Sequence, residues 1–163
     1  MIKKKILEWI ILHLKNSRLF NDFIDHKMRQ FYKKETLQIY RVWGDEEKIV
    51  LGKSVHINDA LINTTCGTVT IGEYTFFGHG VSLLTGTHDV YQRDLARQTS
   101  VPNDGRDIKI GRGVWIASNA LILGPCEIGD NAVIGAGSIA TGTIEANTFY
   151  AGIPAKIVKK LME

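Results

Sequence analysis

Ile110-Gly111-Arg112-Gly113-Val114-Trp115, Ile128-Gly129-Asp130-Asn131-Ala132-Val133 and Ile134-Gly135-Ala136-Gly137-Ser138-Ile139 decide the fold of this chain. With Ile116 and Ile122 between them, five isoleucines fall at an unbroken step of six. Neither helical periodicity nor strand alternation produces that step over this distance. A sustained short repeat marks a solenoid, in which each coil stacks on the last. The fifth positions are Val114, Ala120, Cys126, Ala132 and Ser138, all compact. A large aliphatic followed by a small inward residue suits a narrow tube with short flat sides, three to a coil, forming a triangular prism. Gly after the Ile allows backbone angles that other residues resist. Each buried Ile contributes about 1.5–3 kcal/mol, so a stack is stable where one coil is not.

The step recurs upstream at Ile71, Phe77 and Leu83, with a weaker start at Leu51 and Ile57. From Leu51 to Ile71 is twenty residues rather than eighteen, which predicts two extra residues near Asn63–Gly67. The repeat stops after His88 and resumes at Ile110. Residues 89–108 between them are polar and contain Arg93, Arg97, Pro102, Gly105 and Arg106. A long excursion from a tight coil is more often functional than accidental.

Residues 1–45 read as a helical hairpin and connector, and residues 46–163 as the solenoid with a short tail. Leu7, Ile10, Ile11 and Leu14 follow helical spacing over residues 2–15. A second helix is predicted from Asn21-Asp22 to Tyr32, with Phe20, Phe23, Ile24, Met28 and Phe31 on its apolar face. The hairpin has two readings. It caps the open end of the prism, whose strand edges need covering, or it lies on a membrane surface, with basic residues beside an apolar face containing Trp9. Residues 1–41 carry ten Lys/Arg against four Asp/Glu, and the remainder ten against thirteen. The solenoid is therefore mildly acidic, which argues against a nucleic-acid surface. Two cysteines, Cys66 and Cys126, do not make a disulfide framework. No apolar run is long enough to span a bilayer. Glu8 and His13 interrupt the first apolar stretch, and no small-residue cleavage site follows it. The chain is expected in the cytoplasm, at the inner membrane face if the hairpin binds lipid.

Five histidines are candidates for proton transfer, for which an unperturbed pKa of about 6.5 is suited. His13 and His26 fall in the predicted helices, and His56 at the start of the prism. His79, in Gly78-His79-Gly80, is placed to line an acceptor pocket. His88 sits where the coil opens into the long loop, and so at a cleft. Asp89 adjoins it, but neighbours on a strand point oppositely, so Asp89 is not expected to orient the ring.

Thr87-His88-Asp89, the run Ile110 to Ser118, and the ending Ala151-Gly152-Ile153-Pro154-Ala155-Lys156-Ile157-Val158 carry a resemblance. Over about residues 46–160 the chain resembles the hexapeptide-repeat acyltransferases, closest to the galactoside, maltose and polysaccharide O-acetyltransferase branch. The resemblance implies a left-handed parallel β-helix, acetyl-CoA as co-substrate without a metal, and a homotrimer with sites between neighbours. It implies His88 as general base, direct transfer through a ternary complex, and Ser118 bordering the thioester with its amide as oxyanion donor. It places Ala136 and Thr141 on the pantetheine arm and Lys156 and Lys159 near the phosphates, where the family often has arginine. On the acceptor side it points to Asn58. Cys66 stands where galactoside acetyltransferases carry a sugar-binding aspartate, which argues against a simple galactoside acceptor. Trp115 either packs between subunits or lies beside the cofactor.

The resulting expectation is an O-acetyltransferase acting on a sugar of a surface polysaccharide or glycolipid precursor. N-acetylation of a nucleotide-linked amino sugar is the alternative. A zinc carbonic anhydrase on this fold needs three close histidines, which His56, His79 and His88 supply poorly. A non-catalytic scaffold is the remaining reading.

Overall fold

The computed structural model of the protein describes residues 40–161. The expected N-terminal hairpin, with its cap and membrane-surface readings, lies outside the described residues. No helix among the described residues is long and apolar enough to cross a membrane.

The described chain is a left-handed parallel β-helix with three flat faces. The first face stacks β2 (Ile49–Leu51), β4 (Val69–Ile71), β7 (Ile108–Ile110) and the second half of β9 (Leu121–Ile128). The second stacks β5 (Phe76–Phe77), β8 (Trp115–Ile116), β10 (Val133–Ile134) and β12 (Thr148–Gly152). The third stacks β1 (Arg41–Trp43), β3 (Leu61–Asn63), β6 (Ser82–Leu84) and the first half of β9. Strand β11 (Ile139–Ile144) follows β9 around the same corner, so it too belongs to the third and then the first face. Only the last strand, β13 (Ala155–Lys160), turns back to pair antiparallel with β12. Because β1 already pairs with β3, the prism starts at Arg41, inside the segment expected as a connector.

Register explains the step of six. Ile110 opposes Ile128, Ile116 opposes Ile134 and Ile122 opposes Ala140, so each of these coils takes eighteen residues. All five repeat isoleucines are buried, as are Val114, Ala120, Cys126, Ala132 and Ser138. Upstream, Leu51 opposes Ile71, and the bridge from His56 to Phe76 sets Ile57 over Phe77, a separation of twenty. Ile62, opposite Leu83, is the inward residue of the third face. It lies five residues after Ile57 and nine before Ile71, so the surplus falls between residues 63 and 68, where the spacing predicted it. Ile71 and Ile110 oppose each other across thirty-nine residues, and the long excursion supplies the difference. Within it, α1 (Asp94–Thr99) is the one regular element, and strand pairing resumes at Ile108.

The glycines that follow inward residues do a different job from the one expected of them. Gly72 and Gly129 are not among the residues with positive φ. A Cβ on Gly72 would fall 2.5 Å from the Gly111 carbonyl carbon, and one on Gly129 2.5 Å from the Ala146 nitrogen. They let stacked coils approach. The left-handed backbone comes two residues later, at Gly113 (φ +65°) and Asn131 (φ +56°), types that tolerate it.

Candidate active site

His88 leaves the prism at the corner between the third and first faces. Its base is held from the preceding coil by Asn63, a buried residue at the end of β3. Asn63 Oδ1 accepts from the Gly86 N–H at 2.8 Å, the Thr65 hydroxyl at 2.8 Å, the Thr65 N–H at 3.2 Å and the Thr85 hydroxyl at 3.3 Å. Asn63→Ala strands the Gly86 amide two residues before His88. An unpaired donor costs up to about 1–3 kcal/mol when buried, and Gly86 is half-buried, so the denaturant midpoint should fall by the lower part of that range, and Asn63→Asp, which keeps the acceptor, should fall less.

The His88 ring is exposed, and its Nδ1 lies 3.0 Å from the Arg97 carbonyl oxygen at the end of α1. A carbonyl can only accept, so Nδ1 carries the proton and Nε2 keeps its lone pair. Arg97 in turn fixes the loop, donating from Nε to the Gln92 carbonyl at 2.7 Å and from Nη2 to the Val90 carbonyl at 3.4 Å. Asp89 is spent on a turn: its oxygens accept from the Tyr91 N–H at 3.0 Å and Gln92 Nε2 at 3.2 Å. It does not orient the ring, as strand alternation indicated. Thr87, His88, Tyr91, Val101, Pro102 and Arg106 line an open cleft of about 460 Å³.

Ser118 occupies a different edge, between the second and third faces. Among the described residues, the N–H groups of Ser118 and of Ala136 one coil below donate to no protein acceptor. At the same repeat position on another edge, the Arg112 N–H is taken by Asp130 Oδ1 at 2.8 Å. The Ser118 edge therefore presents two uncommitted donors in line, as oxyanion stabilisation needs. Beside them on the second face lies an apolar groove of about 410 Å³, lined by Trp115, Ala117, Val133, Ala136, Phe149 and Lys159. Trp115 is half exposed and stacks on Phe76 with centroids 5.9 Å apart. Close stacking at this edge depends on Gly78, whose Cβ would fall 2.5 Å from the Ser118 nitrogen. Gly78→Ala should separate the coils there and lower stability by about 1–3 kcal/mol, read from denaturant unfolding.

The remaining expected residues divide. Thr141 is exposed, its hydroxyl 3.5 Å from the Pro125 carbonyl, and Lys156 and Lys159 are exposed on β13. Asn58 is a corner residue with φ +46° whose Nδ2 donates to the Phe77 carbonyl at 2.7 Å. That amide nitrogen is committed to the fold. The acceptor-side position of Cys66 needs correction: its side chain is fully buried, with Sγ 3.8 Å from the Thr87 carbonyl, so it packs beneath the His88 segment and has no surface to offer a ligand. Burial pushes the Cys126 thiol up to about 12, in keeping with a core role. His79 is exposed, and its Nδ1 lies 3.3 Å from Asp59 Oδ1. The Gly80 N–H, at 2.9 Å, together with the imidazole, holds the Asp59 carboxyl below the usual range. Neither this pairing nor the Arg97 carbonyl was visible in sequence spacing. Among the described residues, no three His, Cys, Asp or Glu side chains converge as a metal site would require.

Residues 107–142 match the family described as bacterial transferase hexapeptide (six repeats). In fold and repeat the chain is similar to the hexapeptide-repeat acyltransferases. It is 33% identical over 118 residues to a putative lipopolysaccharide biosynthesis O-acetyl transferase of Escherichia coli K12, covering 69% of this chain and 60% of that relative. The chain thus spans less than two thirds of that relative's length. A maltose O-acetyltransferase from Clostridium difficile 630 superposes with a TM-score of 0.69 at 31% identity, over 77% of this chain and 65% of the other. A galactoside acetyltransferase solved in complex with coenzyme A superposes with a TM-score of 0.63 at 27% identity, over 99% and 80%.

Proposed function

We propose that the protein is an acetyl-CoA-dependent O-acetyltransferase acting on a sugar hydroxyl of a surface polysaccharide or glycolipid precursor. The observation that carries this reading is the His88 ring, pinned through Nδ1 to the Arg97 carbonyl with Nε2 open at the cleft. Nε2 takes the proton of the acceptor hydroxyl as its oxygen attacks the thioester carbon. The Ser118 N–H receives the developing negative charge on the carbonyl oxygen. Collapse breaks the carbon–sulfur bond, and the protonated His88 returns its proton to the departing thiolate. The pantetheine arm follows the apolar groove past Ala136, Thr141 reaches it from the His88 edge of the neighbouring copy, and Lys156 and Lys159 meet the phosphates. Lysine supplies charge there without the bidentate geometry of arginine.

His88 and Ser118 occupy different edges of one prism, so a complete site needs the Ser118 edge of a second copy beside the His88 loop of the first. A closed ring of three identical chains gives each prism both contacts. Light scattering should report three chains of 18.2 kDa, and a monomer at micromolar concentration would contradict a shared site. The activity is tested by thiol release from acetyl-CoA with methyl galactoside, maltose, nucleotide-linked sugars and glycolipids as acceptors. Release that is acceptor-dependent and sensitive to His88→Ala supports the reading. Zero release over the whole panel removes it.

A further inference from the structure

Asp59 and His79 form an imidazole–carboxylate pair that the reaction above does not use. Asp59 follows the corner residue Asn58, and His79 occupies the same prism edge one coil below. Asp59 Oδ1 is fixed by the Gly80 N–H at 2.9 Å and approaches His79 Nδ1 at 3.3 Å. The backbone around the ring is tied down on both sides. The His79 N–H donates to Ser118 Oγ at 3.2 Å, and the His79 carbonyl accepts from the Asn119 N–H at 2.8 Å. Both side chains are nonetheless open, at 64% and 48% exposure. In the neutral ring, the carboxylate at Nδ1 places the proton there and leaves the lone pair on Nε2. This pair therefore sits next to the Ser118 amide, on the edge assigned to the thioester.

Resting on the proposed function, we infer that His79 Nε2 accepts a hydrogen bond from an acceptor hydroxyl neighbouring the one acetylated, with Asp59 as the residue that positions the ring. The substrate class this selects is a polyhydroxylated ring, and the pair sets which hydroxyl enters the cleft. An apolar pocket alone discriminates such hydroxyls weakly, whereas a site built to bond one rejects the analogue lacking it.

The test takes the best acceptor found among methyl galactoside, maltose and uridine-diphosphate-linked sugars, together with its monodeoxy analogues. His79→Ala should raise the acceptor KM about tenfold while kcat and the acetyl-CoA KM stay within about threefold, the size of one lost neutral hydrogen bond. His79→Gln, which keeps a polar group at similar reach, should recover part of the loss. Asp59→Asn should raise the acceptor KM in the same direction. One monodeoxy analogue should be poor for the wild type and no poorer than the parent sugar for His79→Ala. An unchanged acceptor KM in His79→Ala, with His88-dependent release intact, overturns the inference alone. A fall in kcat matching that of His88→Ala, at constant KM, also overturns it. Absence of His88-dependent release with every acceptor sinks the inference together with the function on which it rests.

Discussion

His88→Ala is expected to reduce kcat for acetyl transfer about 10²–10⁴-fold, the range for loss of a positioned general base. The acetyl-CoA KM should change little, because the apolar groove proposed for the pantetheine arm is lined by residues other than His88. Stability should be nearly untouched: the ring is exposed, and surface changes of this kind stay within about 0.5 kcal/mol. That separation makes the measurement informative, since a drop in rate cannot then be ascribed to unfolding. His88→Asn refines it. Its side-chain amide retains a donor for the Arg97 carbonyl but offers no ring nitrogen as base, so it should be as slow as alanine. Full activity in either variant would remove His88 from the chemistry.

Ile116→Ala is expected to cost about 2–5 kcal/mol, measured as a drop in denaturant midpoint. Ile116 has no exposed surface and stands in the middle of the second face, flanked in register by Phe77 and Ile134. Both neighbours are themselves fixed in coils, so the space left by the missing atoms cannot collapse. Whole domains are stable by only about 5–15 kcal/mol, so this one truncation is a large fraction of the total. Ile153→Ala is the control. Ile153 is 72% exposed near the C-terminal end and should shift stability by under about 0.5 kcal/mol. Equal effects from the two would mean that the inward columns are not the source of stability.

The inward columns were legible because a solenoid is nearly one-dimensional. Whether Ile110 or Cys126 faces in depends on the residues beside it in sequence, and an eighteen-residue coil puts the same position over itself each time. The loop that carries His88 was legible for the same reason, as the longest interruption of the step. The role of the glycines after inward residues was misjudged: their φ angles are ordinary, and the need for them comes from the coil below. The family resemblance puts Cys66 on the acceptor side, but it turns under the loop, where burial closes it off.

Taken alone, the amino-acid order determined the three-sided coil, its inward residues and the break at His88, because each follows from local spacing. Tertiary structure decided which outward polar groups meet. Coils of eighteen, twenty and thirty-nine residues set their own stacking register, which brings Gly80 to Asp59, His79 to Ser118 and Arg106 to the Thr85 carbonyl. The Arg97 carbonyl reaches His88 only because α1 folds back within the loop. A side chain's place on the inner or outer surface is written in its neighbours along the chain. Its partner across coils depends on how many residues each turn consumes, and the three-dimensional stack fixes that pairing.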